Sequence, residues 1–367
     1  MKIRKIRMHD TGSGRKRTVS TVSLVLIMIV ILAGCGRGAT AAIDPADKVT
    51  GKGLVIGWSQ RSLAGSDWYK TLVSGGQQES SRLGAQLDVL DANQSTIQQI
   101  QDVRTLISKN VDVVVLNAND PLGVASAIKD LNAAGIPVVA VNSNLDPKLI
   151  SGLHCYVAED QVATGALAGR EIAKKAIAKY GESGTIKLVG LGGFPGDVLS
   201  ELRYRGFLKG YRAVMADYPK VHTVELPFRY GHWLPDQALA PIRDVATANP
   251  DLKIVYNESD VMQAGVRRGL QEAGLWGDKL LEGSYDGGMN AVGEMRSQPD
   301  GPLQATASNQ PYDQGVAAIR MAVAAYNGDR SACPGRTKYI PTTVVTPDNA
   351  DQYYDPRETH VRAKEQR

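Results

Sequence analysis

Short apolar runs alternate with amphipathic stretches along most of this chain, beginning at residue 54. Residues 111–116 form a nearly continuous apolar run, which is typical of a parallel strand buried on both faces. The amphipathic stretches have a helical period, and several end at a glycine such as Gly84 or Gly135. In the first half of the chain this pattern predicts strands over 54–59, 86–90, 111–116 and 136–141, helices over 69–83 and 96–109, and a third helix that opens at Asp120-Pro121 and closes at Gly135.

The same alternation begins again in the second half. It predicts helices over 163–180, 199–215, 237–248 and 262–273, strands over 185–189, 221–226, 252–256 and 280–284, and a last cycle through 288–296, 303–308, 312–326 and 339–345. Repeated strand-helix-strand units predict an α/β fold with two doubly wound parallel-sheet domains. Residues 351–367 are charged and interrupted by a proline, so we expect an exposed tail there.

The N-terminal segment differs from the rest of the chain. Seven Lys and Arg residues precede an apolar run over 24–32, and small residues lead to Cys35. The run is too short for a bilayer span of roughly 20 residues, and Leu32-Ala33-Gly34-Cys35 resembles the lipobox of bacterial lipoproteins. We expect a lipoprotein signal peptide over 1–34, lipidation at Cys35 and a tether over 35–52. The alternative is a short hydrophobic anchor that stays attached.

The segment before Cys35 also decides the charge balance. The full chain has 42 Lys and Arg against 38 Asp and Glu, whereas the part from Cys35 onward has 35 against 37. Because the excess positive charge belongs to the targeting segment, it gives no support for a nucleic-acid partner. The remaining length of roughly 330 residues suggests two domains.

Cysteine and histidine usage gives no sign of a metal site or a bound cofactor. No CxxC or HExxH spacing occurs, and the five histidines are scattered. Cys155 and Cys333 would lie in an oxidising compartment, where they could pair or remain two separate buried thiols.

Polar side chains follow the predicted strands. They are Gln60, Asn117, Asn119, Asn142, Ser143, Asn257, Ser259, Asp286 and Asn309. Ligands of open parallel sheets bind beyond the carboxyl ends of the strands, where amides and hydroxyls suit a neutral, hydroxyl-rich ligand. Trp68, Tyr69 and Trp233 lie in the same loops, and their rings could cover the apolar face of a sugar or polyol.

Several of these positions also have purely structural explanations. Asp120 is better explained as a helix cap than as a ligand contact. For Ser259 or Asp260, a helix cap and a ligand contact are equally good explanations. Trp58 lies inside a strand pattern, which favours the core. The segment Asp286-Gly287-Gly288 could be only a turn.

Two motifs are similar to nucleotide-binding or catalytic sites without meeting their requirements. The glycine-rich residues 190–196 follow a strand but lack the GxGxxG spacing and a GK[ST] ending. Glu201, Arg203 and Arg205 crowd one helix, yet no nucleophile or paired base accompanies them. A solvated or ligand-contacting charged face is the better interpretation.

Taken in order, eight segments of the chain resemble the type I periplasmic substrate-binding proteins of ABC transporters, in particular the ribose-like sugar-binding group. They are 54–69, 113–120, 136–144, 157–168, 205–211, 254–269, 284–288 and 305–315, within a resemblance that covers essentially all of 53–346. It implies two lobes, 53–158 with 310–341 and 159–309 with 342–350, joined by a three-segment hinge with crossings near 157–160, 309 and 341. Cys155 and Cys333 would then share a lobe near the hinge, which favours a disulfide.

The resemblance also implies a set of ligand-binding residues. Asn142-Ser143 stands where the family often has Asp-Arg, Ser259 replaces an asparagine, and the arginine of the next helix falls at Glu201, with Arg203 close behind. The full set is Trp68, Tyr69, Asn117, Asn142, Ser143, Glu201, Arg203, Trp233, Ser259, Asp286 and Asn309. The lost Asp-Arg pair disfavours a ribose-like pyranose and favours a polyol or a differently shaped sugar.

We therefore predict an exported protein, lipid-anchored at the outer face of the cytoplasmic membrane, that binds a small neutral sugar or polyol by hinge closure. It would be the monomeric substrate-binding protein of a carbohydrate ABC importer, with a membrane permease as partner, without cofactor or catalysis. The alternatives are a secreted α/β enzyme acting on a sugar or nucleotide and a sugar-sensing co-receptor for a membrane kinase. A secretion signal where a helix-turn-helix would stand disfavours a DNA-binding repressor of related fold.

Overall fold

The computed structural model describes residues 50–64, 66–143 and 145–362. The predicted signal peptide, Cys35 and almost all of the predicted tether lie outside these residues. Within them, two sheets carry helices on both faces. None of the described helices has the length and the apolar character that a membrane span requires.

In the described residues, the first sheet has six parallel strands in the order β2-β1-β3-β4-β5-β12. The strands are β1 (Val55–Gln60), β2 (Gln86–Asp91), β3 (Val113–Leu116), β4 (Val138–Val141), β5 (Cys155–Ala158) and β12 (Thr337–Tyr339). The helices of this first lobe are α1 (Asp67–Leu83), α2 (Thr96–Ser108), α3 (Ala125–Ala133), α4 (Pro147–Ile150) and α10 (Pro311–Tyr326). Alternate strand side chains face opposite helix layers, since Val113 packs with α1 and α10 whereas Val114 packs with α2 and α3.

The second sheet has the order β13-β11-β10-β9-β6-β7, with β8 beside β6, among the described residues. Its strands are β6 (Gly184–Gly192), β7 (Val221–Glu225), β8 (Arg229–Tyr230), β9 (Leu252–Asn257), β10 (Leu281–Asp286), β11 (Leu303–Ser308) and β13 (Thr343–Val345), of which β13 is antiparallel to β11. The helices of this second lobe are α5 (Gln161–Tyr180), α6 (Val198–Met215), α7 (Pro235–Ala248), α8 (Gln263–Glu272), α9 (Met289–Ser297) and α11 (Ala350–Tyr353). Leu188 packs with α5 and α6, and its neighbour Val189 packs with α7 and α8. The predicted fold class is confirmed.

The chain crosses between the lobes three times. It passes from β5 to α5 at 159–160, from β11 to α10 at 309–310, and from β12 to β13 at 340–342. The last predicted segment, 339–345, divides at the third crossing, which lies where the resemblance placed it near 341, because Tyr339 pairs in the first sheet and 343–345 pair in the second. Both halves are extended and partly apolar, so the sequence pattern did not separate them.

A disulfide joins Cys155 of β5 to Cys333 in the short 3₁₀ turns that follow α10. The two Cα atoms are 5.9 Å apart, and both side chains are buried in the core of the first lobe. This separation lies within the usual range for a disulfide. The bridge therefore joins β5, which leads into the first interlobe crossing, to the turns before β12, which leads into the third.

The start of the third helix differs from the prediction. The third helix begins at Ala125 rather than at Asp120-Pro121, because residues 121–124 form a turn instead. The Asp120 carboxylate accepts hydrogen bonds from the main-chain N–H groups of Leu122 and Gly123, so it caps this turn and not the helix.

Of the predicted exposed tail, residues 351–362 are not a free tail, and 363–367 lie outside the described residues. After α11, residues 354–362 return to the second lobe, and we call this segment the C-terminal strap. His360 is 5% exposed and Val361 is completely buried, the latter in a core cluster with Met289 and Val292. Charged neighbours concealed this burial in the sequence, since only a few apolar positions make the contact.

Candidate functional site

A cavity of about 310 Å³ lies between the lobes at the carboxyl ends of their strands. Its lining residues come from both lobes and are Arg61, Ala64, Ser66, Trp68, Tyr69, Gln94, Asn142, Phe194, Leu199, Arg203, His232, Trp233, Leu234, Ser259, Val261 and Asp286. Seven residues of the predicted set line it: Trp68, Tyr69, Asn142, Arg203, Trp233, Ser259 and Asp286. The parallel strand order explains this convergence, because the carboxyl ends of the strands meet at one edge of each sheet.

Asp286 ends β10 and forms the floor of the cavity. It has a φ of 106°, an unusual value for a residue with a side chain. Its Oδ1 accepts hydrogen bonds from Arg203 Nη1 at 3.2 Å and Asn309 Nδ2 at 3.1 Å, and its Oδ2 accepts one from Ser259 Oγ at 2.5 Å. A carboxylate can accept about four hydrogen bonds. One acceptor position on Oδ2 is therefore left for a ligand hydroxyl.

Arg203 is the buried cation of this floor. Beyond Asp286, its guanidinium donates to the main-chain oxygen of Glu258 at 2.7 Å and to Gln161 Oε1 at 3.0 Å. Burial acts to lower the pKa of Arg203, but Asp286, Tyr285, Glu159 and Tyr256 together outweigh it and the pKa is raised. Burial likewise raises the pKa of Asp286, although Arg203 opposes that shift. The two groups form a mutually compensated ion pair with little access to water.

Aromatic side chains from opposite lobes face the cavity. In the second lobe, Trp233 has a φ of 59°, and its indole N–H donates to Asp197 Oδ2 at 2.9 Å. Its ring packs over Gly193, where a Cβ atom would clash with it. In the first lobe, Trp68 donates its indole N–H to Asn309 Oδ1 at 2.8 Å. Because protein atoms occupy both indole N–H groups, the two rings offer apolar surface to a ligand.

The first lobe also contributes polar atoms. Asn142 has a φ of 61° and lines the cavity. Its Oδ1 is buried and has no hydrogen-bond partner among the described residues. Arg61, which directly follows β1, places its guanidinium 5.5 Å from the centre of the Tyr69 ring. A ligand hydroxyl could satisfy Asn142 Oδ1, which would otherwise stay desolvated without a partner.

Four residues of the predicted set do not line the cavity. Asn117 and Ser143 lie behind Asn142, where Ser143 Oγ donates to Asn117 Oδ1 at 2.6 Å and Asn117 Nδ2 donates to Gln60 at 3.2 Å. Asn309 is buried between Trp68 and Asp286. Glu201 is exposed on another side of α6, in a groove with Tyr204 and Phe228. Of the two α6 residues in the predicted set, Arg203 lines the cavity and Glu201 does not.

Other predicted contacts have structural roles. Trp58 is completely buried, as expected for a core residue. Ser259 caps the 3₁₀ turn that follows β9, through a bond from Val261 N at 3.2 Å, while its hydroxyl hydrogen goes to Asp286. Ser259 therefore caps this turn and also lines the cavity.

Sequence reasoning missed several residues of the cavity. These are Arg61, Ala64, Ser66, Gln94, Phe194, Leu199, His232, Leu234 and Val261. Phe194 lies in the glycine-rich segment after β6 and is 40% exposed, an unusual state for a phenylalanine that could have served as a signal. Arg61 follows Gln60 directly at the end of β1, but strand periodicity does not show which of two neighbouring residues faces the cavity.

Comparison with known proteins decides the family. A family model described as periplasmic binding protein domain matches residues 56–330, well over half of the chain. This chain is a type I periplasmic binding protein. The ribose import binding protein of Salmonella typhimurium is 29% identical to it over 270 residues, which cover 73% of this chain and 84% of the relative.

Two further relatives are similar to this chain. The xylitol-binding protein of Mycolicibacterium smegmatis is 28% identical over 204 residues, which cover 55% of this chain and 54% of the relative. An ABC transporter solute binding protein from Mycobacterium smegmatis, solved with bound glycerol, superposes with a TM-score of 0.72 at 29% identity. That likeness covers 84% of the binding protein and 99% of the solved chain.

Within the described residues, no three His, Cys, Asp or Glu side chains are arranged to hold a metal ion. The cavity combines a compensated ion pair, an unsatisfied amide oxygen and apolar rings. Such a mixture suits a small molecule that carries hydroxyl groups on an otherwise apolar skeleton.

Proposed function

We propose that this protein binds a small carbohydrate or polyol between its lobes and delivers it to the permease of an ABC importer. The observation that carries the proposal is the cavity floor, where Asp286 keeps one free acceptor position beside Arg203 while Trp68 and Trp233 face the cavity from opposite lobes. Carboxylates and guanidinium groups bind hydroxyls in strong, directional hydrogen bonds, and rings cover the apolar faces of sugars.

The relatives support this class of ligand. Two of them are named for the binding of ribose and xylitol, and one solved relative holds glycerol. A cavity of about 310 Å³ is at the small end of ligand sites, which favours a molecule of monosaccharide size. The absence of the family's Asp-Arg pair at Asn142-Ser143 favours a polyol or a sugar whose shape differs from that of ribose.

Binding is expected to close the lobes. A ligand that contacts Asn142 in the first lobe and Asp286 in the second gains both sets of contacts only in the closed form. It therefore stabilises that form by its difference in affinity for the two states. No bond of the ligand is made or broken in this mechanism.

Export and lipid attachment complete the proposal. The basic and apolar segment before Cys35 supports a lipoprotein signal, and the lipid would tether the protein beside its permease. Cys35→Ala should leave an unprocessed precursor or release the protein from the membrane fraction. If the variant were processed and retained like wild type, the lipid-anchor proposal would be wrong.

Thermal-shift screening of the soluble fragment against pentoses, hexoses and alditols tests the ligand class, since a tight ligand raises the unfolding temperature by mass action. Each hit is then incubated with the protein and analysed by mass spectrometry. Recovery of the unchanged ligand supports a binding protein, and conversion to a product would favour a secreted enzyme. If no member of the panel stabilised the protein, the proposed ligand class would be rejected.

A further inference from the structure

The C-terminal strap is held by the turn that carries Asp286. The main-chain N–H of Met289 donates to the oxygen of Thr359 at 2.8 Å, and that of Val361 donates to the oxygen of Gly287 at 2.8 Å. Between them, Gly288 and His360 form an antiparallel bridge. The strap thus pairs with residues 287–289, which follow the ligand-facing carboxylate directly.

The same segment contacts the first lobe. The hydroxyl oxygens of Thr71 in α1 and Thr359 are 2.5 Å apart. The Arg362 guanidinium lies 3.7 Å from the centre of the ring of Tyr312, in α10. Thr71 is one helical turn beyond Trp68, which lines the cavity. The strap therefore touches both lobes beside the site, outside the three crossings of the hinge.

The direction of each hydrogen bond follows from the neighbours. The Thr71 hydroxyl donates to its own helix at Asp67 O, 2.7 Å away, so the Thr359 hydroxyl must donate to Thr71 Oγ1. His360 Nδ1 is 3.2 Å from Thr359 Oγ1, whose hydrogen is already committed, so Nδ1 carries the proton of a neutral ring and donates it. Burial lowers the pKa of His360 to about 4, in agreement with a neutral ring.

The turn needs such support because Asp286 has a positive φ, a conformation that surrounding structure must impose. From inside, Asp260 Oδ2 accepts the N–H of Gly288 at 2.7 Å. From outside, the strap supplies the two main-chain hydrogen bonds at Gly287 and Met289. The matched family region ends at residue 330, well before the strap.

We propose that the C-terminal strap is a positioning element of the ligand site, which fixes the turn of Asp286 and couples it through Thr359 and Thr71 to the helix of Trp68. The inference about affinity rests on the proposed function, whereas the coupling itself does not. Loss of the Thr359 to Thr71 hydrogen bond loosens the turn and helix α1 together. Ligand affinity falls as a result, because ordering both elements must then accompany binding.

Hydrogen exchange of the ligand-free protein tests the coupling without any ligand. We expect Thr359→Val and Thr71→Val each to accelerate exchange both in the peptide that contains 286–289 and in the peptide that contains 67–73. Thr359→Ser restores the hydroxyl and should restore protection. The matched control is Thr105→Val in α2, since the Thr105 hydroxyl also donates to a carbonyl one turn back, that of Gln101, as Thr71 does.

The outcomes separate cleanly. If either valine variant accelerated exchange on one lobe only, or if Thr105→Val gave the same pattern as Thr71→Val, the coupling would be refuted. Affinity for D-ribose and xylitol is then measured by calorimetry, with a loss of about threefold to tenfold expected for each single variant and no further loss for the double variant. Unchanged affinity in both variants would overturn the positioning role, and failure of wild type to bind either probe would count against the proposed ligands alone.

Discussion

At the scale of single residues, the site depends on which polar atoms have no hydrogen-bond partner within the protein. Asn309 donates from Nδ2 to Asp286 and accepts at Oδ1 from Trp68. It therefore holds in place two residues that face the cavity. Asp286 keeps one acceptor position on Oδ2, and Asn142 keeps its Oδ1. The residues with free atoms, rather than all polar residues at strand ends, are those expected to determine affinity.

Asp286→Asn tests the charged floor. The amide keeps the size of the side chain but leaves the buried Arg203 with a weaker partner, and it removes a charge-assisted acceptor for a ligand hydroxyl. We expect a loss on the order of 1–3 kcal/mol in binding free energy, measured by calorimetry. Glu201→Gln, on the exposed side of α6, is the control and should bind like wild type. An unchanged affinity of Asp286→Asn would exclude Asp286 from the site.

Trp233 tests the apolar wall. Trp233→Ala removes a ring that lines the cavity, and the affinity should fall roughly tenfold or more. Trp233→Phe keeps an aromatic face and should retain much of the affinity, although it loses the hydrogen bond to Asp197. Calorimetry on both variants, with folding checked by circular dichroism, decides the matter. Equal affinities of the alanine variant and wild type would show that the ring does not contact the ligand.

The sequence predicted the set of strand ends but not the facing of each residue. Asn117 and Asn142 both follow apolar strands, yet Asn117 bonds to Gln60 and Ser143 whereas Asn142 faces the cavity. The difference arises from the positive φ of Asn142, which turns its side chain and cannot be derived from periodicity. Glu201 and Arg203 likewise lie at different angles around α6, so that Glu201 is exposed and Arg203 lines the cavity.

At the scale of elements, apolar period located most of the longer strands and helices, because burial on two faces leaves a strong pattern in a parallel sheet. It did not predict the short elements β5, β8, α4 and α11. It failed where tertiary contacts outweigh local pattern. Residues 339–345 have one extended pattern but divide between two sheets at 340–342. The C-terminal strap has charged residues around its few buried positions, and two main-chain hydrogen bonds together with the buried Val361 attach it to 287–289.

The turn after β10 makes the stability of the protein depend on pH. Burial first, and the Asp286 carboxylate second, raise the pKa of Asp260 to about 7. Since this pKa is higher in the folded than in the unfolded protein, the contribution of Asp260 to stability is complete below about pH 4 and is lost as the pH rises through about 7. In wild type the Ser284 hydroxyl donates to Asp260 Oδ1. Asp260→Asn cannot ionise, its Nδ2 can donate to Ser284 Oγ instead, and its amide oxygen can still accept from the N–H of Gly288.

Urea unfolding at about pH 5 and about pH 8 checks this dependence. Relative to wild type, Asp260→Asn should gain roughly 1–3 kcal/mol between the two values. Exposed Asp300→Asn is the control. His360, with its pKa lowered to about 4, also makes stability depend on pH, but its contribution is lost as the pH falls from about 6.5. The wild-type profile contains both effects, so the test compares the variant with wild type at each pH. Parallel pH profiles of wild type and Asp260→Asn would contradict the assignment.

The disulfide belongs to the same scale, since it ties β5 to the turns after α10. Replacing both Cys155 and Cys333 by serine should lower the free energy of unfolding by about 2–4 kcal/mol. Ligand affinity should change little, because the bridge lies in the core of the first lobe and not in the cavity. Denaturant unfolding measures the first effect, calorimetry measures the second, and non-reducing peptide maps show whether the bridge is present. Free thiols at both positions in unreduced exported protein would refute the bridge.

At the scale of the whole molecule, two similar lobes and three crossings provide the geometry for closure. The chain order that produces this geometry was predictable, since the strand-helix alternation and the resemblance agreed on two lobes. The position of the strap across the site was not, because it depends on a contact between Thr71 and Thr359, 288 residues apart in sequence. Long-range contacts of this kind leave no periodic signal.

Small-angle X-ray scattering, before and after addition of the tightest carbohydrate or polyol from the thermal-shift panel, tests the central claim most directly. Wild type should show a smaller radius of gyration when bound, because one ligand joins Asn142 of the first lobe to Asp286 of the second. The double variant Trp233→Ala, Asp286→Ala should keep its ligand-free radius at the same ligand concentration. A wild-type protein that binds the ligand without any change in radius would contradict closure of the lobes on the ligand.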